Sequence, residues 1–116
     1  MSSKRPVLQM RVGDSGPSVT FIFYRTNAAG TRSAVNISGA TVQVTGRQEY
    51  NTASDFQRDC TITSATAGKA RFDWLVTDLT VATNYGLEIE ITHASGVIET
   101  APISPLVEVT AQFPDP

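Results

Sequence analysis

The sequence predicts an all-β domain folded as a two-layer sandwich, and three observations carry that expectation. Apolar residues recur with a period of two along most of the chain. Clusters of turn-forming residues interrupt the pattern about every ten residues, the spacing of a sandwich or barrel. No segment sustains the 3.6-residue period of an amphipathic helix. Composition agrees, because Thr and Val are abundant while Lys and Leu are scarce, and β-branched residues suit a pleated sheet. At 116 residues the chain fits one domain with its own core.

Val7-Leu8-Gln9-Met10-Arg11-Val12 reads as a first strand, closed by the turn formers Gly13-Asp14-Ser15-Gly16-Pro17. Val19 to Tyr24 follows with large side chains on both faces, which predicts a central strand. Thr26 to Arg32 reads as a hairpin loop with Gly30 in a left-handed position. Val42 and Val44 share one face of the segment Ala40 to Gln48, where Gly46 marks an expected bulge. Residues 47–58 form the least patterned, most polar stretch. Cys60-Thr61-Ile62 resumes the alternation, and Ala70, Phe72 and Trp74 line one face of the next strand. Leu75 to Thr83 lacks clear alternation and suggests a short helical or 3₁₀ turn across the end of the sandwich. Tyr85, Leu87, Ile89 and Ile91 then alternate with outward Glu88 and Glu90, the pattern of a sheet with one dry and one wet face. Val97 to Thr100 and Leu106 to Thr110 complete seven to eight antiparallel strands. Tyr85, following a loop that holds Asp78 and Leu79, suits a tyrosine corner, so the sandwich is expected to be immunoglobulin-like. The domain is expected over 7–113, between a short arm (1–6) and a tail (114–116).

Chemistry finds little foothold in these residues. The formal charge of −2 and isoelectric point near 5.2 give no electrostatic reason to expect nucleic acid. One cysteine, Cys60, allows no internal disulfide, and one histidine, His93, with it makes no zinc set. Gly13-Asp14-Ser15-Gly16-Pro17 matches the string around the nucleophile of trypsin-like proteases, but no histidine precedes it, so a plain turn is the better reading. Neither a secretory signal nor a membrane-spanning run is evident. No catalytic residue, metal or cofactor is expected, and no membrane partner. Residues for partner contact are Lys4 and Arg5 in the arm, and Tyr50 and Phe56 flanking the polar loop. The two aromatics read equally well as caps on the open end of the sandwich.

An ordered series of motifs resembles a phage virion module. Gly13 to Pro17 leads into the strand Val19 to Tyr24, then a glycine-containing hairpin, then Ile37-Ser38-Gly39-Ala40-Thr41-Val42. Ala67-Gly68-Lys69-Ala70-Arg71-Phe72-Asp73-Trp74 and Tyr85-Gly86-Leu87-Glu88-Ile89-Glu90-Ile91 follow in order. Together they resemble the immunoglobulin-like N-terminal domain of siphophage upper baseplate proteins and related tail and virion proteins. That resemblance implies a non-enzymatic virion component, made in the host cytoplasm. It would dock on other virion proteins of the tail, baseplate or neck, in many copies on a symmetric scaffold. Capsid-surface decoration, or an immunoglobulin-like module binding a host-surface carbohydrate, are the alternatives.

Overall fold

A computed structural model of the protein describes residues 7–16, 18–49, 53–101 and 106–110; the expected arm and tail lie outside the described residues. The chain is all-β. Its strands are β1 (Val7–Arg11), β2 (Val19–Ile22), β3 (Tyr24–Thr26), β4 (Arg32–Ala34), β5 (Thr41–Gln48), β6 (Phe56–Asp59), β7 (Thr61–Ser64), β8 (Lys69–Phe72), β9 (Asn84–Thr92), β10 (Ile98–Thr100) and β11 (Leu106–Thr110).

β9 organises the larger sheet. Its alternation buries Tyr85, Leu87, Ile89 and Ile91 on one side and turns Glu88 and Glu90 to the other. β5 pairs with it from Thr41↔Thr92 to Gln48↔Tyr85, while β10 and β11 share its opposite edge. The full order is β1-β11-β9-β5-β6, with β10 off that path. β1 runs parallel to β11, in register from Val7↔Leu106 to Arg11↔Thr110. A parallel pair needs a long crossover, and nearly the whole domain supplies it here. The described strands therefore number eleven, with one parallel pair, rather than the seven or eight antiparallel ones expected.

The smaller sheet has the order β2-β8-β7, and β3 and β4 form a separate hairpin. Among the described residues β2 ends its sheet instead of lying centrally: Val19 and Phe21 are half-buried, Thr20 and Ile22 exposed. Cys60 is the single residue by which the chain leaves the larger sheet after β6 and enters the smaller at β7. Its amide donates to the Val42 carbonyl at 2.7 Å, so the crossing keeps its backbone bond. The order β11, β9, β5, β6 corresponds to immunoglobulin strands G, F, C and C′, and β2, β8, β7 to B, E and D.

Between the sheets lie Ile37, Val42, Val44, Phe56, Ala70, Phe72, Trp74, Leu79, Val107 and the inward side chains of β9. Each large side chain fully buried there contributes about 1.5–3 kcal/mol. Phe72 and Trp74 pack edge to face with ring centroids 4.9 Å apart. Gly46 is not a bulge, since its register continues to Phe56 on one side and Leu87 on the other. Its missing Cβ makes room instead, because the Phe56 ring lies where that atom would be. The observed irregularity falls in β7, between Ile62 and Ser64.

Tyr85 forms the expected corner: its hydroxyl accepts the Val81 amide at 3.2 Å while its ring is fully buried. Asp78, 4 % exposed, accepts the Leu75 amide at 2.7 Å and closes a turn. That turn, with bends after it, stands where a short helical or 3₁₀ turn is expected; carboxylate and hydroxyl acceptors hold the loop without a helical ladder.

Candidate functional site

Two hairpins meet at one end of the sandwich, and a charged cluster joins them. The β3–β4 hairpin pairs Tyr24↔Ala34, Arg25↔Ser33 and Thr26↔Arg32, and all six residues are exposed. Its tip is set locally. The Asn27 side-chain oxygen accepts the amides of Ala29 and Thr31, each at 2.9 Å, and Gly30 takes φ of 85°. Its root is held by Gly68, whose carbonyl accepts the Phe23 amide at 2.8 Å. Gly68 has φ of 67°, and a Cβ there would lie 2.8 Å from the Val35 carbonyl oxygen, so no other residue fits without displacing the root.

A lone two-stranded ribbon is marginal in water. This one is strapped. Glu99 on β10 pairs with Ile91, so its side chain leaves the sheet on the inner side, toward the hairpin. There it accepts from Arg25 Nη1 at 2.8 Å and Nη2 at 2.5 Å, and lies 2.6 Å from His93 Nε2. Hydrogen bonds from Arg25 first and His93 second push the Glu99 carboxyl down to about 2. The same bond with Glu99 raises the Arg25 guanidinium. On the other face of the ribbon the Arg32 guanidinium lies 4.7 Å above the Tyr24 ring.

Several exposed apolar side chains belong to these two hairpins and their roots: Ile22, Tyr24, Val97 and Ile98, each about half exposed or more. Exposed Tyr and Arg on a rigid support are the residue types that anchor protein contacts. The Arg25–Glu99–His93 cluster thus braces these exposed side chains on a fixed ribbon at one end of the sandwich.

Of the residues expected to make contact, Lys4, Arg5 and Tyr50 lie outside the described residues. Phe56 needs correction. It is buried on β6 against Phe72, Trp74 and Tyr85, with centroids 5.9 to 6.3 Å away, so it belongs to the core and not to a contact loop. The pairing Gly46↔Phe56 is what turned it inward. The loop above it is clipped where the Gln48 amide donates to Asp55 at 2.8 Å.

The turn 13–16 is structural: Asp14 accepts the Arg11 amide at 2.9 Å, and the Gly13 amide donates to the Leu79 carbonyl at 3.0 Å. It lies beside the beginning of β9, whereas His93 follows its end, about 30 Å away at strand rise. Burial, with Asp59 and Asp73 nearby, pushes the Cys60 thiol up to about 12, far from a reactive thiolate. Among the described residues no three His, Cys, Asp or Glu side chains converge as metal ligands, and no helix is long and apolar enough to cross a membrane.

Sequence reasoning missed Arg25, Glu99 and His93 as one unit. They lie on segments up to 74 residues apart, joined only by the fold. The sole legible hint was a lone histidine in a hairpin turn. The chain matches no protein-family model, and no curated protein is similar to it in sequence.

Proposed function

We propose that the protein is a non-enzymatic structural component of a bacteriophage virion, an adaptor that docks on other tail, baseplate or neck proteins. The observation that supports this reading most is the strapped two-hairpin end. It spends a buried-side carboxylate, an arginine and the only histidine on holding an exposed ribbon still. Rigid presentation of Tyr24, Arg32 and Ile98 lowers the ordering entropy lost on association, and many copies on a scaffold turn a weak contact into a firm one. The ordered motifs that resemble phage virion modules fall on β2, β5, β8 and β9, the strands that build the sandwich. The glycan-binding alternative relied on Tyr50 and Phe56 acting together, and a buried Phe56 takes away half of that platform.

Mass spectrometry of purified particles tests the reading. The protein is expected at several copies per particle, and its absence from particles would end the proposal.

A further inference from the structure

The two sheets turn opposite charge outward. On the larger sheet the outward rows are set by register: Asp59 beside Gln43 beside Glu90 beside Thr100, and next to it Gln57, Thr45 and Glu88. Glu108, beside Asn84 on β11, shares that face. Its cations, Arg47 and Arg11, sit toward the end where β9 begins and leave the middle rows acidic. No cation pairs with Asp59, Glu88 or Glu90 among the described residues. The outer face of the smaller sheet is the reverse. Ile22 faces Lys69 and Thr20 faces Arg71 across β2–β8, and the stripe continues through Tyr24 to Arg32 on the ribbon. Its one carboxylate, Asp73, is occupied by Ser18 and Arg71. Lys69 and Arg32 have no anionic partner among the described residues, and Ile22 and Tyr24 beside them are 52 % and 48 % exposed.

We propose that copies of this chain associate face to back, the acidic outer face of the larger sheet (Asp59, Glu88, Glu90) seating on the basic outer face of the smaller sheet and ribbon (Ile22, Tyr24, Arg32, Lys69) of the next copy. Charge complementarity within one sequence points to a second copy: a single chain presents both halves of the contact on opposite sides. A two-fold arrangement would set acid on acid or base on base, which like-charge repulsion opposes. A head-to-tail contact repeats, so it closes into a ring or extends into a stack. The inference holds wherever the protein resides, and its failure would leave the particle test untouched.

The test is sedimentation equilibrium of the purified full chain. At about 50 mM salt the average mass is expected above the monomer's 12.4 kDa, falling toward it at about 0.5 M as screening shortens the reach of the charges. Arg32→Glu with Lys69→Glu leaves a chain acidic on both faces; Glu88→Lys with Glu90→Lys leaves one basic on both. Each alone is expected to be monomeric with unchanged circular dichroism, and an equimolar mixture to associate again. A wild-type chain that stays monomeric at low salt overturns the proposal, as it would if either face served only a foreign protein. So does association that survives both charge reversals, or a mixture of the two variants that fails to reassociate.

Discussion

Arg58 on β6 grips Asp78 in the loop after β8 with both terminal guanidinium nitrogens, Nη1 to Oδ1 at 2.7 Å and Nη2 to Oδ2 at 2.6 Å. Nη2 also donates to the Asp73 carbonyl at 2.6 Å, and the guanidinium plane lies over the Phe72 ring. The pair therefore ties the edge of one sheet to the loop leaving the other, with the Asp78 side chain only 3 % exposed. Removing Arg58 strands a buried carboxylate. Arg58→Ala is expected to destabilise by about 3–5 kcal/mol in urea unfolding, and Arg58→Met with Asp78→Leu by distinctly less, because no charge is then left alone.

Phe56 and Gly46 make a second, purely steric pair. Phe56→Ala empties a site lined by three aromatic rings and is expected to cost about 3–5 kcal/mol. Gly46→Val should be of similar severity for the opposite reason, since its side chain claims the volume of the Phe56 ring. Equilibrium unfolding of both variants checks this, and Gly30→Ala at the open hairpin tip, with no atom near its Cβ position, should lose less, about 1–2 kcal/mol from the left-handed φ of 85° alone.

The Tyr85 hydroxyl accepts one backbone amide, that of Val81 in the loop before β9. Tyr85→Phe keeps the ring and loses that acceptor, so a loss of about 0.5–1.5 kcal/mol is expected from urea unfolding. The loop at Val81 should then exchange its amide hydrogen faster.

The strap has a pH signature. Glu99 is held at about 2 against an ordinary value of 4.5, so the unfolded chain binds the proton more readily than the folded one. Its contribution to stability is complete above about 4.5 and is lost as the pH falls through the folded value near 2. Between those limits the wild type should lose melting temperature faster than Glu99→Gln. Parallel curves would mean that the carboxylate holds nothing.

Much of the sandwich was legible because period-two patterning is a local property. Tyr85, Leu87, Ile89 and Ile91 announce their inward face from four alternate letters, and Val42 and Val44 do the same. Phe56 was misplaced because its neighbourhood is polar; only its cross-strand partner, ten residues away, shows that a glycine has made room for it. Large residues on both faces of β2 predict a central strand, but which strands lie beside it is a tertiary matter, and β2 ends its sheet. The strap left only a lone histidine in a hairpin turn as its hint, for the same reason: a bidentate arginine pair between residues 25 and 99 has no spacing rule.

If the sandwich works by contact with other virion proteins, as proposed above, cross-linking mass spectrometry on intact purified particles will capture those contacts. Cross-links are expected from the outer faces of both sheets, through Lys69 and through carboxylates such as Glu88, to other virion proteins and to further copies of the chain. Recovery of the chain with no cross-link to any other protein, or no chain in the particles at all, would contradict that proposal.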